Sequence, residues 1–205
     1  GYFVVIDIRD DSGPAFLDQN YLDIEAVLPF DSGGGAQGFR QIVTVPGSDK
    51  LYALNDQPEA IWVLDVSTVE DEAYAHIEPH TAVGWLPAPR GLERDEGSAS
   101  QTSVGPAQLV VHPDGRRLFL TNFNANSVTV YDLELGPHGQ LVAEVPLVGE
   151  SPYGLVLSPD ARYAVIGNFA GEVTSEGLTQ ATLAILDVDV SSPTYLEVLT
   201  WVVNQ

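Results

Sequence analysis

The chain has 205 residues, 44% of them hydrophobic, enough for a sizeable core, and it sets 29 acidic side chains against 8 basic ones for a net charge of −21. That imbalance argues against nucleic acid or anionic lipid as a partner, because phosphate binding needs cationic side chains to displace counterions; it fits a solvated surface that keeps an extracytoplasmic protein soluble, with divalent cations or a basic partner as the other candidates. Cysteine is absent, which removes disulfides and thiolate metal sites, and no apolar run approaches the ~20 residues of a membrane span.

From the N-terminus, the first apolar runs are Val4–Asp7 and Ile24–Leu28. Between and beside them stand Asp10, Asp11, Asp18 and Asp23. A calcium loop would need alternating oxygen ligands, a central glycine and a closing glutamate, so these read as solvated turn carboxylates. Gly33-Gly34-Gly35 with Gly38 has no Lys-Ser/Thr ending and no helix pattern behind it to hold a phosphate; it reads as a connector. Three apolar runs follow within Gly38–Asp65. Glu70–Val104 is then the longest irregular stretch, expected to lack regular structure for most of its length, with the nearest candidate for a fourth strand at Ala73–Ile77. Inside it, His76 and His80 stand four apart, a metal-ligand spacing on a helix. Pro79 removes a backbone donor between them and opposes a regular helix, so His76 and His80 are metal candidates against a competing reading as two surface histidines. A long loop on a rigid scaffold is where binding usually sits, which makes this segment the first place to look.

Pro106–Asp132 is the clearest stretch. Leu109–Val111 runs into the turn Pro113-Asp114-Gly115; Leu118–Thr121 follows, then the polar loop Asn122–Asn126, then Val128–Asp132. β-branched and aromatic residues between Gly, Pro, Asn and Asp clusters are the pattern of antiparallel strands. Alternation sends Leu118 and Leu120 to one face and Phe119 and Thr121 to the other. Leu141–Leu147 adds a fourth run. Pro152–Asp187 repeats the pattern with its loop lengthened by Gly171–Gln180, and Tyr195–Val202 closes it. His112, at the turn before Pro113, and His138, in Gly136-Pro137-His138-Gly139, read as structural.

Laying the chain against itself shows the organisation. A shift of 67 residues puts Gly38–Asp65 under Gly105–Asp132 without a gap, and a shift of 46 puts Pro152–Phe169 under Pro106–Phe123. Four strands per unit at a period of about 45 is the mark of propeller blades. The fold class is therefore all-β, a β-propeller with about three and a half four-stranded blades: a half blade at 1–30, blades at 36–80, 105–148 and 151–203, and a long loop at 70–104. Asn55, Asn122 and Asn168 recur at one position, as do Asp65, Asp132 and Asp187 at another. A single active site has no use for three copies, so both sets are read as fold devices, the amides bonding to backbone in the next turn.

Leu118-Phe119-Leu120-Thr121-Asn122 followed by Ser127-Val128-Thr129-Val130-Tyr131-Asp132 resembles the YVTN-type β-propeller repeat, and His112-Pro113-Asp114-Gly115 and Ser158-Pro159-Asp160 resemble that family's turn. The resemblance implies architecture more than activity, since such propellers include secreted and surface proteins, lactonase-like enzymes and domains joined to redox partners. A nucleophile elbow, a haem-attachment motif and His-Glu-x-x-His are all missing, so no catalytic residue and no cofactor is assigned. The favoured reading is a non-enzymatic scaffold for protein–protein contacts, secreted, periplasmic or on the cell surface. The alternatives are a lactonase-like hydrolase with its site at the channel mouth and a propeller domain of a periplasmic redox assembly. The chain starts at Gly1, without Met and in mid-blade, and is expected not to close its own ring; a protein partner or a missing segment of the same chain would complete about seven blades.

Overall fold

The computed structural model describes residues 2–6, 24–29, 37–48, 50–57, 59–65, 84–87, 104–146, 148–170 and 181–203. These contain fourteen β-strands and no helix, in an all-β propeller arrangement of separate antiparallel sheets. β1 (Tyr2–Ile6) and β2 (Ile24–Pro29) form a two-stranded sheet, the first blade as far as it is described. The second blade runs in the order β3 (Gln37–Thr44), β4 (Lys50–Gln57), β5 (Glu59–Asp65), β6 (Gly84–Pro87). The third is β7 (Pro106–Val111), β8 (Arg117–Asn122), β9 (Ser127–Asp132), β10 (Gln140–Pro146). The fourth is β11 (Glu150–Leu157), β12 (Tyr163–Ala170), β13 (Thr182–Asp187), β14 (Val198–Val203). β7 touches both β3 and β11, so the first strands of three blades lie side by side around the axis.

The repeat registers agree strand by strand. The turns Val45–Ser48, His112–Gly115 and Ser158–Ala161 each close with an N–H to C=O bond three residues back, at 3.1, 2.9 and 2.8 Å. Asn55, Asn122 and Asn168 pair with Phe39, Pro106 and Pro152, the same register in each blade. The fourth strand of the second blade departs from expectation. It is β6 at Gly84–Pro87, pairing Trp62 with Trp85, and Ala73–Ile77 lies outside the described residues. A four-residue edge strand ending in proline owes its existence to its partner, β5, and carries little alternation of its own.

The core is a set of seams between blades. Leu118 and Leu120 of β8, with Leu109 and Tyr131, pack against Tyr52, Leu54, Ile61 and Val63 of the second blade. Phe119 of the same strand, with Val128 and Val130, packs against Leu155, Ala164, Ile166, Ala184 and Leu186 of the fourth. The period of two thus gives each central strand two buried faces, one for each neighbour. Among the described residues no helix is long and apolar enough to cross a membrane.

Candidate binding face at the channel mouth

A one-residue bulge interrupts the innermost strand of every complete blade at the same place: between Phe39 and Gln41, Pro106 and Gln108, Pro152 and Gly154. The extra residues are Arg40, Ala107 and Tyr153. The bulge is preceded by Phe39, Pro106 or Pro152 and followed by Gln41, Gln108 or Gly154, whereas the bulged residue itself differs in all three. A bulge takes a residue out of the ladder and re-aims its side chain, and such features gather beside functional sites.

The devices that hold this inner ring are side chains reading backbone. The Gln41 amide donates to the Leu109 carbonyl at 2.8 Å, and its Oε1 accepts the Leu109 N–H at 2.7 Å. One blade on, Gln108 Oε1 accepts the Leu155 N–H at 2.6 Å, and the Thr121 hydroxyl takes the Gln108 N–H and donates to the Tyr153 carbonyl, both at 3.1 Å. Behind the bulges the chain turns tightly. Gly105 has φ +66°, and a Cβ there would meet Asn124 at 2.9 Å; only glycine fits both conditions. Ser151, at the equivalent place, holds φ 55° with its N–H bonded to Asn126 Oδ1 at 2.8 Å.

Around this frame lies a patch of distinct chemistry. The Phe123 ring meets Tyr153 edge-on at 6.3 Å and 89°, and Phe169 at 6.1 Å and 51°. Phe123 is half-buried, whereas Tyr153 is 58% and Phe169 75% exposed, so the cluster presents two rings to solvent on a braced base. Arg40 is exposed on the neighbouring blade and donates to the Pro106 carbonyl at 3.4 Å. Glu150 is exposed at the start of β11, where it pairs with Ala170, the residue after Phe169. Exposed aromatic rings can seat a small ring, a guanidinium can fix a carbonyl or an anionic substituent, and a carboxylate can serve proton transfer.

The residues singled out from the sequence fall elsewhere. His76 and His80, the aspartates Asp10, Asp11, Asp18 and Asp23, and Gly33–Gly35 lie outside the described residues, as does most of 70–104. Among the described residues no group of three or more His, Cys, Asp or Glu is placed to hold a metal ion. His112 sits at the opposite end of the strands. Its Nε2–H donates to the Ala161 carbonyl of the next blade at 3.0 Å, and Nδ1 lies 2.8 Å from Asp114 Oδ1. Burial works to raise the Asp114 pKa, but the Arg116 N–H and the His112 ring outweigh it and hold the carboxyl below its usual range. His138 contributes its carbonyl, which accepts the Tyr52 hydroxyl at 3.0 Å; burial pushes that phenol up to about 12.

The recurrent residues are fold devices of more than one kind. Asn168 Nδ2 donates to the Val148 carbonyl at 3.1 Å, a backbone group ahead of β11 and not in the next turn, and to Thr182 at 3.2 Å. Asn122 Nδ2 instead reaches the hydroxyls of Ser127 at 3.0 Å and Thr129 at 2.8 Å. Asp187 accepts from Ser192 at 2.5 Å, Thr194 at 2.6 Å and the Asp189 N–H at 3.0 Å, closing the turn that follows β13. Arg40, Tyr153, Phe169 and Glu150 escaped the sequence reading. For Arg40 and Tyr153, the signal that could have found them is variation at a single position within an otherwise repeated frame.

The model of the family described as lactonase, 7-bladed beta-propeller, matches residues 23–198. Among solved structures, a protein from Lactobacillus plantarum superposes with a TM-score of 0.61 at 19% identity, covering 98% of this chain and 48% of its own. A candidate 6-phosphogluconolactonase from Bacteroides fragilis gives 0.60 at 15% identity, covering 88% and 47%. A hypothetical selenium-binding protein from Sulfolobus tokodaii gives 0.52 at 14% identity, covering 82% and 42%. At these identities the likeness is one of fold, and the chain spans about half the length of the structures it matches. No curated protein matches it. The family match overturns the expectation of a non-enzymatic scaffold and favours the hydrolase alternative. The error has a physical cause: the enzyme family is recognised across many weakly marked positions, whereas short catalytic motifs belong to folds that place a site on one turn.

Proposed function

Because the chain belongs to the seven-bladed lactonase propeller family, we propose that the protein hydrolyses a lactone at the mouth framed by Arg40, Glu150, Tyr153 and Phe169. The observation that carries this reading is the match over residues 23–198. The site chemistry supports it. Water adds to the lactone carbonyl, the ring C–O ester bond breaks, and the product is a hydroxycarboxylate plus one proton. The aromatic pair offers its faces to the ring. The Arg40 guanidinium stabilises the oxyanion that forms on the carbonyl oxygen, where hydrogen bonding to charge that develops in the transition state is most effective. Glu150 accepts the proton of the attacking water. We also propose an extracytoplasmic location, on the strength of the acidic composition; fractionation of the producing cells tests it.

The test of function is a pH-stat assay of the full-length protein on a panel of five- and six-membered sugar lactones, since each turnover releases one proton. Hydrolysis well above the spontaneous rate, lost in Arg40→Ala and Glu150→Gln and weakened through KM in Tyr153→Ala, is the expected outcome. Turnover no faster than buffer across the panel refutes the reading. Full turnover in Arg40→Ala and Glu150→Gln moves the site away from this mouth.

A further inference from the structure

Thr121 differs from its counterparts in the other two complete blades. The registers set it opposite Gln108, as they set Leu54 opposite Gln41 in the second blade and Gly167 opposite Gly154 in the fourth. Leu54 fills its seam with apolar bulk. Thr121 is as fully buried, where a hydroxyl is unfavourable unless it finds bonds.

Those bonds lead to the bulge of the fourth blade. The hydroxyl accepts the Gln108 N–H and donates to the Tyr153 carbonyl. Two more side chains of the third blade hold the same segment at every second residue: Asn126 Oδ1 accepts the Ser151 N–H at 2.8 Å, and Gln108 Oε1 accepts the Leu155 N–H at 2.6 Å. Asn126 and Ser151 both hold positive φ, 56° and 55°, which non-glycine residues keep where their surroundings dictate it. The second blade holds the equivalent segment of the third differently. Gln41 bonds both backbone polar atoms of Leu109 and Arg40 reaches the Pro106 carbonyl, but Leu54 has no polar side-chain atom to offer Ala107. Tyr153 has no partner in the strand ladder, so the direction of its Cα–Cβ bond depends on anchors such as these. That direction decides where the ring leaves the sheet, and the edge-on contact with Phe123 then selects its rotamer.

We propose that Thr121 is a positioning residue of the mouth: through the Tyr153 carbonyl it fixes the aim of the Tyr153 ring, and so how a substrate ring is seated. What the ring seats rests on the lactone reading; where it points rests on the hydrogen bonds alone. Fully buried, Thr121 touches no substrate and acts only through the backbone of Tyr153. Its loss therefore weakens binding and leaves the bond-breaking step to the groups that perform it.

In full-length protein labelled with 3-fluorotyrosine, the fluorine NMR resonance of Tyr153 is the one lost in Tyr153→Phe. Thr121→Val keeps the branched shape and removes both bonds, whereas Thr121→Ser keeps both. Thr121→Val is expected to move the Tyr153 resonance toward that of free fluorotyrosine. It also raises KM on the lactone turned over about fivefold, with kcat within about twofold of the wild type. Thr121→Ser restores both readings. Thr121→Ala, which lacks the hydroxyl and cannot crowd the seam, is read in the same way should Thr121→Val fail to fold. A hydroxyl-free variant with a lowered Tm but the wild-type resonance and KM has lost stability alone and overturns the proposal. So does a moved resonance with KM unchanged. A moved resonance rescued by Thr121→Ser, in a protein whose wild type turns over no lactone, supports the aiming role and sinks the lactone reading instead.

Discussion

Replacing Gln41 by alanine removes a side chain of the second blade's inner strand that bonds both backbone polar atoms of Leu109. Two hydrogen bonds are lost, 2.8 Å to the carbonyl and 2.7 Å from the N–H, each worth about 1 kcal/mol net. Leu109 is 1% exposed, so its backbone groups are then left in a largely dry seam, and an unsatisfied group there costs about 1–3 kcal/mol. Gln41 is itself half-buried, and water entering the space offsets part of that cost. The expected destabilisation is about 2–4 kcal/mol. Urea unfolding measures it, with exposed Gln140→Ala as the control. Gln41→Glu separates the donor from the acceptor. The introduced carboxylate still accepts from Leu109 but faces its carbonyl with a lone pair, so the charged form is disfavoured and the folded-state pKa is raised. The defect is full above that raised pKa and shrinks as the pH falls through it toward the unfolded value near ~4.3, where the protonated carboxyl donates again. A Gln41→Ala protein within about 0.5 kcal/mol of the wild type, or a Gln41→Glu defect indifferent to pH, refutes the clasp.

Phe119→Ala opens a cavity at a fully buried position between the third and fourth blades and is expected to cost about 3–5 kcal/mol in urea, with Phe119→Leu costing clearly less. At Asp187, burial raises the pKa but the Ser192 and Thr194 hydroxyls and the Asp189 N–H outweigh it, leaving the folded pKa lowered. Its contribution is present above the unfolded value near ~3.9 and is lost as the pH falls through the folded one, so Asp187→Asn should lower stability at neutral pH and flatten the acid limb of a Tm–pH curve. Tyr52→Phe gives up the bond to the His138 carbonyl for about 1 kcal/mol and removes from the alkaline absorbance titration one phenol that ionises at about 12.

The fold was legible because its signals are local and recur. Proline-led turns at Pro46, Pro113 and Pro159 and the alternation in Leu118–Thr121 mark strands that any blade needs, and a frame repeated three times averages out its exceptions. β6 was misplaced because Gly84–Pro87 has neither the length nor the alternation to announce itself; its evidence is a partner some twenty residues away in β5. The mouth was illegible for a related reason. Phe123 and Tyr153 meet across the seam between the third and fourth blades and Arg40 reaches Pro106 of the next blade, and spacing along the chain does not encode which blades will adjoin. Recurrence is what led Asp65, Asp132 and Asp187 to be read as fold devices. It could not by itself point to residues that matter because they fail to recur.

The Gln41 and Gln108 amides bond only main-chain atoms of the strand ahead. Such a joint is blind to the side chains of its neighbour. A unit carrying it can be duplicated, or set beside a unit of quite different composition, and still find the same amide and carbonyl waiting at the same height. The apolar seams then have only to agree in volume, a looser demand than matching partners one by one. Arrays assembled this way can drift far apart in sequence while their inner rings stay aligned, and a fold held in common at 14–19% identity is what that freedom would leave behind.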